Sequence, residues 1–182
     1  MSSLTVTHQS TPEYPDKLLT HSDDIASTLT RVGVQFAQHP VAQPVVAGAP
    51  GAEVLAACQA QVEHLLSHCG LAHADVLSLC DERGEGSELA TTLAQPRVCE
   101  SASALYLLAG RCLLALHVGE YVYSLVCEKG DLLQLPAGCV HWLDVGEHPR
   151  VALLRLFTGA QQAVFLPANS ACAGAMPGLD EG

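Results

Sequence analysis

Between Val98 and Phe157 the chain is cut by turn signals into short apolar runs, and this pattern restricts the fold more than any other feature. The runs cover residues 98–108, 112–118, 121–127, 131–135, 140–145 and 150–157. The breaks are Ala109-Gly110, Gly119-Glu120, Lys129-Gly130 and Gly146-Glu147. Apolar stretches this short, closed off by glycine, read as strands rather than helices. With no helix between them, successive strands pair antiparallel and bury one face.

Upstream the hydrophobic period is helical. Ser22-Asp23-Asp24 reads as a helix start with acids in its first turn, followed by Ile25, Leu29 and Val32 and stopped by Gly33. A longer helix is expected over residues 51–69. There Val54, Leu55, Cys58, Val62, Leu65, Leu66 and Cys69 make one apolar face, and Gly70 supplies the C-cap. Val34-Gln35-Phe36 and Asp75–Cys80 read as strands, and residues 81–92 as a polar, glycine-rich loop with a short helical turn. Two helices followed by closely spaced strands predict a mainly β protein: an antiparallel, jelly-roll-like barrel with two peripheral helices. Residues 1–21 are expected as an extended entry segment, 22–166 as a single domain and 167–182 as a flexible tail.

The charge balance narrows the partners. Eight Lys and Arg face nineteen Asp and Glu, for a formal net charge of −11. Such a surface repels phosphate backbones and anionic lipid, so a small molecule is expected rather than nucleic acid or a membrane. The polar start, Met1 to Thr11, carries no basic leader, which points to the cytosol. Eight cysteines without a CxxC pair are expected as free thiols in a reducing compartment. His64 and His68, four residues apart, are expected at the helix surface, and His117 as a packed or hydrogen-bonded residue.

One stretch carries more than fold. Gly130-Asp131-Leu132-Leu133-Gln134-Leu135-Pro136-Ala137-Gly138-Cys139-Val140-His141-Trp142 has the form G-x5-P-x-G-x2-H. That pattern makes two tight turns and then sends a histidine along a strand, and it resembles the second cupin signature. Around it stand Leu116-His117-Val118-Gly119, Tyr121-Val122-Tyr123, Asp144 and Arg155-Leu156-Phe157. In the N-terminal half stand Gly33-Val34-Gln35-Phe36, Glu63-His64-Leu65-Leu66 and Ala74–Leu79. Together, over roughly residues 20–157, these segments resemble the acireductone dioxygenase family. The resemblance implies a cupin of methionine salvage that binds Fe(II) or Ni(II) through three His and one Glu and adds O2 to an acireductone. Iron would give a keto acid and formate; nickel would give formate, carbon monoxide and a shorter carboxylic acid.

Counted back without a gap from Ala104–Gly110, the first three ligand positions implied by the resemblance fall on Arg97, Cys99 and Ser103. The fourth is His141, and a family Arg that helps hold the acireductone falls on Leu105. One imidazole cannot hold a divalent ion against water, and a guanidinium repels one. No resident cofactor is therefore expected, with zinc or copper(I) on Cys99, Cys139 and His141 as the alternative. The expected function is a repurposed pocket for a small anionic or enolisable metabolite. His141, Cys99 and Arg97 are its candidate catalytic groups, and Arg97, Ser101, Ser103, Leu105, Cys139 and Arg155 its lining. Alternatives are a non-catalytic binding relative and an ordinary acireductone dioxygenase using unexpected ligands. The sequence leaves the oligomeric state open.

Overall fold

A computed structural model describes residues 1–81, 88–159 and 165–181. In chain order it runs through β1 (Ser3–His8), β2 (Pro15–Leu19), α1 (Ser22–Thr30), β3 (Gln35–Gln38), α2 (Gly51–Ala57), α3 (Gln59–Cys69), β4 (His73–Cys80) and α4 (Glu88–Leu93). Then follow β5 (Arg97–Cys99), β6 (Ser103–Ala109), β7 (Arg111–Val118), β8 (Tyr121–Glu128), β9 (Asp131–Leu135), β10 (Val140–Asp144), β11 (Arg150–Phe157) and β12 (Phe165–Pro167). A 3-10 turn at Ala173–Ala175 precedes the C-terminus.

The strands form two antiparallel sheets. One has seven strands in the order β12-β5-β10-β7-β8-β1-β2, the other five in the order β3-β9-β6-β11-β4. The expected mainly β, cupin-like architecture is present, but its hydrogen bonding does not close into a single barrel ladder. The reason is local. Residues 98–108 read as one strand, yet the chain leaves β5 at Glu100 and re-enters order at Ser103 in the other sheet. Glu100 is exposed while Cys99 and Ser103 are buried, so the polar Glu100-Ser101-Ala102 step is a crossover. Part of the loop read over residues 81–92 lies outside the described residues; its end is α4.

Side-chain alternation builds the layers. Leu4, Val6, Leu114, Leu116, Leu125 and Leu143 of the larger sheet meet Leu107, Leu133, Leu135, Val151 and Leu153 of the smaller one in the main core. The opposite face of the smaller sheet, Ala104, Tyr106, Leu108, Leu154 and Leu156, packs under Val54, Cys58, Val62 and Leu65 of the helical layer. The single helix expected over 51–69 bends at Cys58 (φ −104°, ψ 14°), and both pieces keep buried residues on that face. Gly70 caps α3 in the left-handed conformation, as its position after the apolar face predicts. The outer face of the larger sheet, with Leu113, Ala115, Val122 and Trp142, is covered by Cys172, Met176 and Leu179. The C-terminal segment read as a loose tail therefore packs onto the sheet.

The N-terminal segment is extended, as expected, and it is also part of the sheet: β1 pairs along its whole length with β8. A buried carboxylate secures this end. Asp131, 1% exposed, accepts hydrogen bonds from Ser2 Oγ (2.6 Å), Gln38 Nε2 (2.9 Å) and the Glu128 backbone N–H (2.9 Å). It thereby ties the N-terminus, β3 and the β8–β9 turn to one point.

Two substitutions test this frame by urea denaturation. Asp131→Ala strands three donors and is expected to cost about 2–3 kcal/mol, from the penalty of unsatisfied buried polar groups. Gly110 joins β6 to β7 at φ +79°, where an added Cβ would run into the Arg150 carbonyl. Gly110→Ala is expected to cost more than about 1 kcal/mol. An unchanged midpoint in either variant would contradict the geometry.

Candidate functional site

Three elements, β5, β10 and β12, bring the sequence-selected residues to one end of the inter-sheet space. His141 on β10 is the Cα partner of Leu116 on β7 and of Arg97 on β5. Directly opposed residues on antiparallel strands share a face. Leu116 belongs to the inter-sheet core, so His141 and Arg97 face inward while the next residue, Trp142, packs in the outer cluster. On the far side of β5, Phe165 of β12 is the Cα partner of Cys99. Its ring lies 5.1 Å from the Arg97 guanidinium carbon and 6.0 Å from the rings of both His141 and Phe157.

His141 is 6% exposed, and its Nδ1 lies 3.0 Å from the Cys139 carbonyl. That nitrogen must carry the proton to donate there, which leaves Nε2 with its lone pair. Burial holds the imidazole below its ordinary value of 6.5; the hydrogen bond to Cys139 opposes this and the Arg97 charge adds to it. The neutral ring thus favours the folded state above pH 6.5, a contribution lost as the pH falls through the folded value.

Arg97 is half-buried. Its Nη2 donates to the Leu93 carbonyl at 3.3 Å, while its buried Nε has no hydrogen-bond partner. Burial, with the Arg155 charge nearby, lowers its affinity for its proton. Arg155 itself is committed to Asp75 through two parallel bonds, Nε to Oδ1 at 2.7 Å and Nη2 to Oδ2 at 2.8 Å. This fork pairing neutralises it and fastens β11 to β4.

The remaining sequence candidates are spread around this pair. Cys99 is buried with its Sγ 3.7 Å from Ser101 Oγ, so its neighbour there is a hydroxyl rather than a base. Cys139 precedes β10 and packs against the main core, and burial pushes its thiol up to about 11. Ser103 and Leu105 sit on β6, in the opposite sheet. Ser103 is the Cα partner of Leu135 and Phe157 and borders a recess of about 170 Å³ with Gly33, Gln35 and Pro136. Leu105 packs against the main core and is the Cα partner of Arg155.

Sequence reasoning missed Phe165 and Phe157 as the aromatic wall. β12 is three residues long, and neither periodicity nor a turn motif marks it. His64 and His68 are exposed as expected, but His39 joins them, with ring centroids 6.2 and 5.1 Å away. His117 is held by Gln9 Oε1 (3.2 Å) and Ser170 Oγ (3.0 Å), in line with a hydrogen-bonded role.

The pairing of His141 with Arg97 can be checked by NMR titration. His141 is expected to titrate below 6.5, and Arg97→Gln to move it upward by removing a repelling charge. A value above 6.5 in the wild-type chain would overturn the buried, neutral assignment.

Comparison with known proteins identifies the architecture. The model of the ARD/ARD' family matches residues 29–164. An acireductone dioxygenase of Pseudomonas paraeruginosa is 44% identical over 161 residues, 88% of this chain and 89% of that protein. One from Pseudomonas fluorescens is 38% identical over 181 residues, all of both chains. The solved acireductone dioxygenase from Bacillus anthracis with cadmium ion in its active center superimposes with a TM-score of 0.73 at 16% identity, covering 91% of this chain and 98% of that one.

These relatives correct the expectation that no cofactor is required, because membership in a metal-dependent family implies a metal. At the ligand positions that the resemblance implies, a guanidinium, a thiol and a hydroxyl accompany His141, and such donors suit a divalent cation poorly. Among the described residues no group of three His, Cys, Asp or Glu side chains is arranged to hold a metal ion, which includes the Cys99, Cys139 and His141 cluster proposed for zinc or copper(I). No helix among them is long and apolar enough to cross a membrane. By its matched model, its relatives and its fold, the chain belongs to the ARD/ARD' family of acireductone dioxygenases.

Proposed function

We propose that this chain acts on an acireductone, or a close enediol relative of one, at the His141 end of the inter-sheet space. The observation that carries this reading is 44% identity to a named acireductone dioxygenase across 88% of the chain; the resemblance adds His141 at one of the ligand positions it implies. The side chains suit such a substrate. An enediol is acidic, and His141 Nε2 can accept its hydroxyl proton while Nδ1 stays bonded to Cys139. Arg97, opposite on the ladder, offers positive charge to the enediolate left behind. Phe165 and Phe157 provide an apolar wall that keeps water from the reacting atoms. Because the donors differ from the family's set, the roles assigned to this chain are substrate binding and proton transfer.

A second reading is that the site binds the anion without turning it over. What favours it is Arg97, a permanent cation at a position the family gives to a metal-ligating imidazole.

Oxygen uptake by the purified chain with an acireductone, with Fe(II) or Ni(II) supplied in separate samples, decides between them. Turnover is expected, reduced on the order of 10²-fold in His141→Ala, the lower end of what a positioned acid–base group contributes. Saturable substrate binding without oxygen uptake in any sample would overturn the first reading in favour of the second.

A further inference from the structure

Arg97 differs from the other lysines and arginines of the described residues in having a buried side-chain nitrogen that makes no hydrogen bond. Of those side chains only Arg155 pairs with a carboxylate, Asp75, at bidentate distance. Arg97 lies on the inner face of its strand, and among the described residues it has no carboxylate within ion-pair reach. Its contacts are weak ones for a guanidinium: a 3.3 Å hydrogen bond to the Leu93 carbonyl and the face of Phe165. Nε is buried with no partner. A partly desolvated cation with a donor left over is costly unless an anion completes it.

The groups around it say what kind of anion fits. Phe165 presents the face of its ring to the guanidinium carbon at 5.1 Å, a cation–π contact. His141 lies opposite across the ladder, with Nε2 available to share a proton. A planar guanidinium offers parallel N–H donors matched to two coplanar oxygens. Carboxylates and enediolates present such a pair in one plane; a phosphate presents it too, but its remaining oxygens lie off that plane, on the side where they meet the negative face of an aromatic ring.

We infer that Arg97 is the anchor of a binding site for a small planar oxyanion, a carboxylate or an enediolate, lying against the inner face of the paired strands β5 and β10 beside His141. The inference deepens the proposed function and rests on it only for the location of the pocket. Arg97 would be a specificity-determining residue that the family does not share, since the resemblance places a ligating histidine there.

The test is calorimetric titration of the full chain, without added metal, with ascorbate as a stable enediolate, 2-oxobutyrate as a carboxylate and inorganic phosphate as the tetrahedral comparison. Ascorbate or 2-oxobutyrate is expected to bind saturably. Affinity should fall at least about tenfold in Arg97→Gln, the loss of one charge-assisted hydrogen-bonding group. Arg97→Lys should rescue it only in part, because the charge returns without the fork. If Arg97→Gln does not fold, the Nε–Hε resonance of Arg97 in the wild-type chain gives the answer directly: it must shift on titration with the planar anion. Three results would each overturn the inference: no saturable binding in the millimolar range, affinity unchanged in Arg97→Gln, or equally tight, Arg97-dependent binding of phosphate. Anion binding with no oxygen uptake would sink the dioxygenase reading while leaving this one intact.

Discussion

Everything in this molecule depends on two sheets having to bury one face against each other. Alternation along each strand decides which side chains enter that space, and a shift of one residue would exchange the two sets. On β10 the consequence is immediate: His141 and Leu143 turn inward, while Trp142 turns outward beneath Cys172 and Met176. β10 is paired on both edges, with β7 and with β5, so its register is held from two sides. The inward position of His141 is therefore set by the same apolar contacts that stabilise the domain.

The electrostatics of the site follow from that burial. A half-buried guanidinium and a buried imidazole sit opposite each other, and the imidazole responds by releasing its proton more readily. Arg155 lies close enough to Arg97 for their charges to be felt, but Asp75 holds it in a fork. Two arginines at one end of the fold thus have opposite characters. One fastens strands together, and the other keeps a donor unused. Among the described residues the other buried side-chain nitrogens and oxygens have partners: Asp131 accepts three bonds, and the Tyr106 hydroxyl both donates to the His39 carbonyl at 3.0 Å and accepts from Gln61 at 2.7 Å. Against that background the unpaired Nε on the inward face is the exception, and it is the observation on which the proposed anion site rests.

The legible parts of the sequence were those in which a local pattern has a local cause. β7 to β11 fall within a residue or so of the turn-bounded runs, because glycine and short apolar alternation act over a few residues. The helix stop at Gly70 and the inward direction of His141 come from the same short-range logic. Features that depend on partners far along the chain were not legible. β1 carries the alternation of Leu4 and Val6 but needs β8 to become a strand, and β12 exists because β5 offers it an edge. The divide between β5 and β6 is a choice of sheet, and alternation, which continues through it, does not record that choice.

The sequence by itself determined the family, the run of antiparallel strands from β7 to β11 and the identities of Arg97, Cys99, Ser103 and His141 at the positions where the resemblance puts ligands. These are properties of residue order and spacing. Only the tertiary structure decided which of those residues meet. It set Arg97 across from His141, walled both with Phe165, gave Arg155 to Asp75 and placed Ser103 on the other sheet. Such pairings are made by register between strands distant in sequence and by how much water each group loses, and both quantities exist only once the two sheets have closed on each other.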